Sequence, residues 1–260
     1  MQLYNRSNNN FFGASLAAYG DMVVACAPRA ISNTYSYLGS ITGACFAKES
    51  STDPMIHIFD LTHRPHRRDL WRYFGMMGHS ISITSKDDFI IGAPLAIPEI
   101  HTYVDPARTR IGHLLKVTKP SKEYFIQAKR PESSPWAKKE LLKMTKEQPQ
   151  AEDMAGTSFA VGRFFDEWDN SSAKTDVAVG APKTNRLMGR VYLCKDCFWS
   201  KDWRRRLHQE SAVIEGTQAG SRFGHSVCSV NLNGRGLDEV VVGAPLFSKK
   251  EISFYNQFHL

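Results

Sequence analysis

The stretch 238-DEVVVGAPLF-247 decides the fold. Two acids lead into three valines, and the run then stops on Gly-Ala-Pro. The chain repeats this pattern as 88-DFIIGAPLAI-97, as 176-DVAVGAPKTN-185 and as 21-DMVVACAPRA-30, where Cys26 stands in the glycine's place. A fixed punctuation after a short apolar run marks an internal repeat, and a repeat must be settled before any fold is assigned.

Upstream of each such run lies a glycine followed by alternating small and apolar residues: 12-FGASLAA-18, 77-MGHSISI-83, 156-GTSFAVG-162 and 223-FGHSVCS-229. Period-two alternation reads as a half-buried strand. The distance from this glycine to the next Gly-Ala-Pro or Cys-Ala-Pro is 13, 14, 24 and 19 residues in the four copies. Each pair is therefore a hairpin with a loop of variable length. A third strand follows at 43-GACFAK-48, 112-GHLLKV-117 and 189-GRVYLC-194, with a weaker 251-EISFYN-256. A fourth is expected at 55-MIHIFD-60, at 123-EYFIQA-128 and near 205-RRLHQE-210.

Small residues on the first strand let neighbouring sheets crowd together. Proline cannot donate to a ladder, so it stops the second strand, and it pushes the residue before it into an extended conformation. Four-stranded antiparallel units set side by side make an all-β, partial β-propeller, which leaves only short protected edges. A plain β-sandwich is the alternative, but its strands would not carry the same punctuation four times. The expected units are residues 1–70, 71–150 with a basic insertion, 151–215, and an incomplete 216–260.

Composition supports a packed chain. Of 260 residues, 42% are hydrophobic and 23% charged, which suits a globular core. The net charge of +7 raises the question of an anionic partner. The densest basic runs, 63-HRPHRR-68 and 203-WRRRLH-208, sit in no nucleic-acid-binding motif and read as solvated loops, so no nucleic-acid partner is expected. No apolar run reaches the roughly 20 residues of a membrane span, and 1-MQLYNRSNNN-10 has no apolar signal segment. The nine histidines are scattered, with no G-x-S-x-G, H-E-x-x-H or P-loop, so no enzyme is expected. The stretch 136-WAKKELLKMTKE-147 has near-helical apolar spacing and reads as a surface helical insertion, with a basic membrane-surface helix as the sharper alternative.

The paired FG and GAP signatures resemble the FG-GAP repeats of the integrin α-subunit head, a seven-bladed propeller. The four units resemble its blades 2 to 5, and the expectation is a fragment of an integrin α chain. The resemblance implies cell adhesion, pairing with an integrin β subunit and loops that bind an extracellular-matrix ligand. It implies the cell surface as the location, within a complete integrin complex. Alternatives are an FG-GAP accessory domain of a secreted enzyme, or a truncated, soluble or non-functional product. By analogy the ligand and partner loops carry Tyr35, Tyr37, Tyr103 and Arg110, aromatics and a cation of the kind that anchor interfaces. Glu152 and Asp153 lie near the acid with which some relatives read an RGD-type basic side chain.

The resemblance also raises calcium. Its later hairpin loops follow D-x-[DN]-x-D-G-x-x-D, and calcium takes six to eight oxygens. In 231-NLNGRGLDE-239 the matching positions are Asn231, Asn233, the Leu237 carbonyl and Glu239, but Arg235 holds the fifth position and cannot accept. Calcium stays open, with Arg235 standing in for the ion as the favoured reading and Asp238 turned to the other face. The third unit is more degenerate, with Arg163 at position one and Asp176 at position nine. Asp166, Asp169 and Asp176 offer an irregular site, and an Arg163–Asp176 pair offers a metal-free one.

The resemblance implies a Cys26–Cys45 disulfide. Cys194 and Cys197 form a lone C-x-x-C, read as a small local disulfide, and Cys228 is expected as a buried free thiol. Asn5 and Asn170 open N-glycosylation sequons.

Overall fold

A computed structural model of the protein describes residues 10–30, 43–48, 50–52, 56–57, 75–85, 88–95, 112–118, 138–141, 153–165, 176–195, 211–234 and 236–248. Its strands form antiparallel sheets in strict chain order. The first holds β1 (Ser15–Tyr19), β2 (Met22–Ala27), β3 (Ala44–Lys48) and β4 (Ile56–His57). The second holds β5 (Ser80–Ile83), β6 (Asp88–Ala93), β7 (His113–Thr118) and β8 (Lys138–Leu141). The third holds β9 (Ser158–Gly162), β10 (Asp176–Ala181), β11 (Arg190–Cys194) and β12 (Ser211–Glu215). In the fourth, β13 (Ser226–Val230) pairs with β14 (Glu239–Gly243). This is an all-β partial propeller of four-stranded antiparallel blades.

The register repeats with the sequence. Ser15 faces Cys26, Ser80 faces Gly92, Ser158 faces Gly180 and Ser226 faces Gly243. Cys26 therefore occupies the structural position of the missing glycine. Each first strand opens with the same turn. His79 N donates to the Met76 carbonyl and His225 N to the Arg222 carbonyl, both at 3.1 Å, with Gly78 and Gly224 third in their turns at φ 87° and 85°. A type II turn demands positive φ there, which is why the FG signature ends in glycine.

The stop at Gly-Ala-Pro has an equally local cause. Ala30 N donates to the Ala27 carbonyl and Phe247 N to the Ala244 carbonyl, each at 3.0 Å. In the third unit the Thr184 hydroxyl makes the equivalent bond to the Ala181 carbonyl at 2.7 Å. Alanine closes the strand, proline takes the second turn position that its fixed φ suits, and the chain reverses.

The central strands are buried almost throughout: every residue of β10 is buried, as are the last five of β6. A strand covered on both faces needs a continuous apolar run rather than an alternating one. The core accordingly lies between sheets. Ile90 and Leu114 pack with Phe159, Val177 and Val179 between the second and third sheets. Ala160, Ala178 and Val191 pack with Val227, Val240 and Val242 between the third and fourth.

One expectation about the strands is corrected. The fourth strand of the second unit is Lys138–Leu141, paired with β7, where the sequence pattern suggested a surface helix. Propensity favours helix in KKEL, but an open ladder edge beside β7 satisfies its backbone instead. In the third unit the fourth strand is Ser211–Glu215, directly after the 205–210 segment, which lies outside the described residues. The stretches 123–128 and 251–256 lie outside the described residues.

Candidate functional site

The long hairpin loops at one end of the third and fourth sheets carry the candidate metal positions. In the fourth-sheet loop, Glu239 begins β14 and turns back into its own hairpin. Its Oε2 accepts from Leu232 N at 2.9 Å, and its Oε1 accepts from the Asn233 side-chain amide. The Asn231 Oδ1 accepts from Gly234 N at 2.6 Å. Leu237 lies on the same loop, half-buried, while Arg235 lies outside the described residues.

Asp238 points the other way, as strand alternation requires. Its Oδ2 accepts from Arg163 N at 2.9 Å, and its own N–H donates to the Arg163 carbonyl at 2.7 Å. Arg163 thus joins the two loops through its backbone. Asp176, 5% exposed, gives its Oδ2 to Phe164 N at 2.8 Å and Phe165 N at 3.1 Å. Asp166 and Asp169 lie outside the described residues.

A calcium ion fits this donor set poorly. The oxygens that would bind it already face N–H groups, and two of the ligand positions are neutral amides. Among the described residues, no group of three or more His, Cys, Asp or Glu is placed to hold a metal ion.

At the opposite end, Asp153 is 5% exposed. Its carbonyl accepts from Lys183 N at 3.3 Å, and it lies close enough to Tyr192 to affect its titration. Burial pushes the Tyr192 phenol above its ordinary range, and the Asp153 carboxylate adds to the shift. The Tyr192 hydroxyl is shielded from solvent, with the Arg190 and Thr184 side chains beside it. The Asp153 side chain is therefore set inside the fold and not on an exposed loop. The reversal between β10 and β11 is α1 (Thr184–Leu187), a single turn in which Asn185, Arg186 and Leu187 all take left-handed φ of 48°, 57° and 64°. Asparagine visits that region routinely, but nothing in Arg186 or Leu187 signals it. Tyr35, Tyr37, Tyr103, Arg110 and Glu152 lie outside the described residues, as do Asn5 and Asn170.

Cys26 and Cys45 are directly opposed on β2 and β3 and form a disulfide, with Cα atoms 4.1 Å apart. The bridge lies against the next sheet: a side chain on Gly78 would meet Cys26 Cβ at 2.4 Å. Cys194 is also disulfide-bonded, and Cys197 lies outside the described residues. Cys228 is a free thiol but exposed, not buried. It stands on the face of β13 that no described element covers, beside its cross-strand partner Val241, which is 47% exposed.

Known proteins resemble this sequence. Over 251 residues it is 25% identical to "Integrin alpha-5" of Xenopus laevis, covering 92% of this chain and 20% of that protein. Over 252 residues it is 25% identical to "Integrin alpha-IIb" of Mus musculus, covering 90% of this chain and 21% of that protein. The chain is similar to integrin α subunits over about nine-tenths of its length. A shorter stretch of 95 residues, 36% of this chain, is 33% identical to "Integrin alpha ina-1" of Caenorhabditis elegans, of which it covers 8%. The chain spans about a fifth of the length of the first two relatives. It matches no family-level sequence profile. Among its described residues, no helix is long and apolar enough to cross a membrane.

Proposed function

We propose that this integrin α region is a non-catalytic binding head that acts in cell adhesion at the cell surface. In this reading it pairs with an integrin β subunit and presents loops to an extracellular-matrix protein. The supporting observation is the coincidence of two signals over one span. Integrin α identity runs across about nine-tenths of the chain, and the same span folds as register-matched propeller sheets. A propeller is a platform, so its function resides in loops and faces rather than in a catalytic constellation.

The loops at 30–39, 97–110 and 148–156 are the proposed contact segments, with Tyr35, Tyr37, Tyr103, Arg110 and Glu152 as anchors. Large aromatic and arginine side chains dominate interface energetics when they are desolvated.

Co-expression with soluble integrin β ectodomains tests the reading. Stoichiometric co-purification that weakens on Tyr103→Ala or Arg110→Ala is the expected result. A chain that is folded by circular dichroism and elutes alone with every β ectodomain overturns it.

A further inference from the structure

We propose that carboxylates have replaced a bound cation as the closure of the third- and fourth-sheet hairpins, so that the docking of these two sheets is independent of calcium.

The argument starts from what calcium requires. It takes six to eight oxygens, several of them charged. The 231–239 loop has one carboxylate of its own to offer, Glu239, and both of its oxygens are engaged by loop donors, Leu232 N and the Asn233 amide. Asn231 Oδ1 is engaged by Gly234 N. These are the contacts that hold the loop in shape. A cation entering here would have to break three hydrogen bonds and leave N–H groups pointing at a positive charge. Hydrogen bonds to an ionised acceptor are the stronger kind, so the exchange is unfavourable.

Asp238 would be the second anion, but it is committed outside the loop. It makes a two-way bond with the Arg163 backbone, 75 residues earlier, at 2.9 and 2.7 Å. A side chain on Gly162 would meet the Asp238 carboxylate at 2.8 Å, so glycine there keeps the approach open. In the third sheet Asp176 closes its loop in the same manner, receiving two successive N–H groups from Phe164 and Phe165. Each long hairpin thus ends in an acid that accepts from its own loop, and Asp238 joins the two loops.

The test uses the whole chain and calcium chloride as the probe. Thermal unfolding is followed in millimolar calcium and in EGTA, beside calorimetric titration. Equal midpoints and no binding heat are expected. Glu239→Ala and Asp238→Ala should lower the midpoint by the same amount in both buffers. Glu239→Gln, which keeps one acceptor oxygen, should lower it less and covers the case in which the alanine variant does not fold. The triple variant Asn231→Asp, Asn233→Asp, Arg235→Asp restores the acidic pattern, and its midpoint should rise by several degrees in calcium, as ligand binding to the folded state demands. A wild-type midpoint that rises with calcium as the triple variant's does, and loses that rise on Glu239→Ala, overturns the proposal. The outcome is separable from β-subunit pairing, because it reads only this chain's own unfolding.

Discussion

The Ser158 hydroxyl donates to the carbonyl of Gly224 at 2.9 Å, fastening the third sheet to the fourth. Ser80 does the same to Gly156 at 3.0 Å and Ser15 to Gly78 at 2.6 Å. One serine per sheet thus reaches the turn glycine that opens the next. Ser158→Ala removes a donor and leaves a partly buried carbonyl without it. A loss of about 1 kcal/mol is expected, read by urea unfolding. No change in midpoint would show that water replaces the hydroxyl.

Gly189 immediately precedes β11, bridged to Phe223, and a side chain there would lie 1.9 Å from the Phe223 carbonyl oxygen. The obstacle is backbone of the next sheet and cannot rotate away. Gly189→Ala should therefore prevent sheet docking and yield insoluble or non-cooperatively unfolding protein. Gly20→Ala is the matched control. Gly20 also has positive φ, but nothing lies within 4 Å of the added atom. Its cost should stay near the 1–2 kcal/mol of a left-handed residue. Similar solubility and midpoints for the two variants would contradict the close approach.

The Cys26–Cys45 bridge closes a loop with a sequence separation of 19. A disulfide of that span stabilises by about 3 kcal/mol in the chain-entropy account. Replacing both cysteines by alanine should lower the unfolding midpoint accordingly. Alanine at position 26 remains tolerable because Cys26 already places a Cβ there. Equal unfolding midpoints for the variant and the oxidised wild type would refute the stabilising role.

Tyr192 sets an alkaline limit. Its phenol titrates higher in the folded chain than in the unfolded one, chiefly through burial and then through Asp153. The folded state therefore holds the proton longer. The stability from burying the neutral phenol is complete below the ordinary tyrosine value of about 10, and it is lost as pH rises through the higher folded value. Tyr192→Phe should flatten the fall in stability above about pH 10. Parallel curves for the two proteins would exclude Tyr192 as the source.

Alkylation distinguishes the thiols. Cys228 is free and exposed on β13. A maleimide should label the native chain rapidly, and Cys228→Ser should abolish that fast phase. Slow labelling only after denaturation would place the thiol in a covered position.

Much of the fold was legible because its signals are short-range. A turn glycine with positive φ, a proline at a turn's second position and an apolar run buried on both faces each need only a few consecutive residues. The 138–141 strand was not legible, because KKEL favours a helix until a neighbouring ladder edge is available. The exposure of Cys228 was hidden for a related reason. Alternation placed it on one face of a strand, but only the arrangement of sheets says whether that face is covered.

The candidate loops divide along the same line. Chain order alone settled the repeat, the position of Cys26 in the glycine's place and the poverty of the 231–239 loop in carboxylates. Each depends on residue types at fixed local spacing. The destinations of the acids were decided by tertiary structure: Asp238 to the Arg163 backbone, Glu239 into its own hairpin, and Asp153 into a buried position within electrostatic reach of Tyr192. A carboxylate takes the nearest unpaired N–H or the most shielded position. Which group that is depends on how residues some 75 positions apart come to lie side by side.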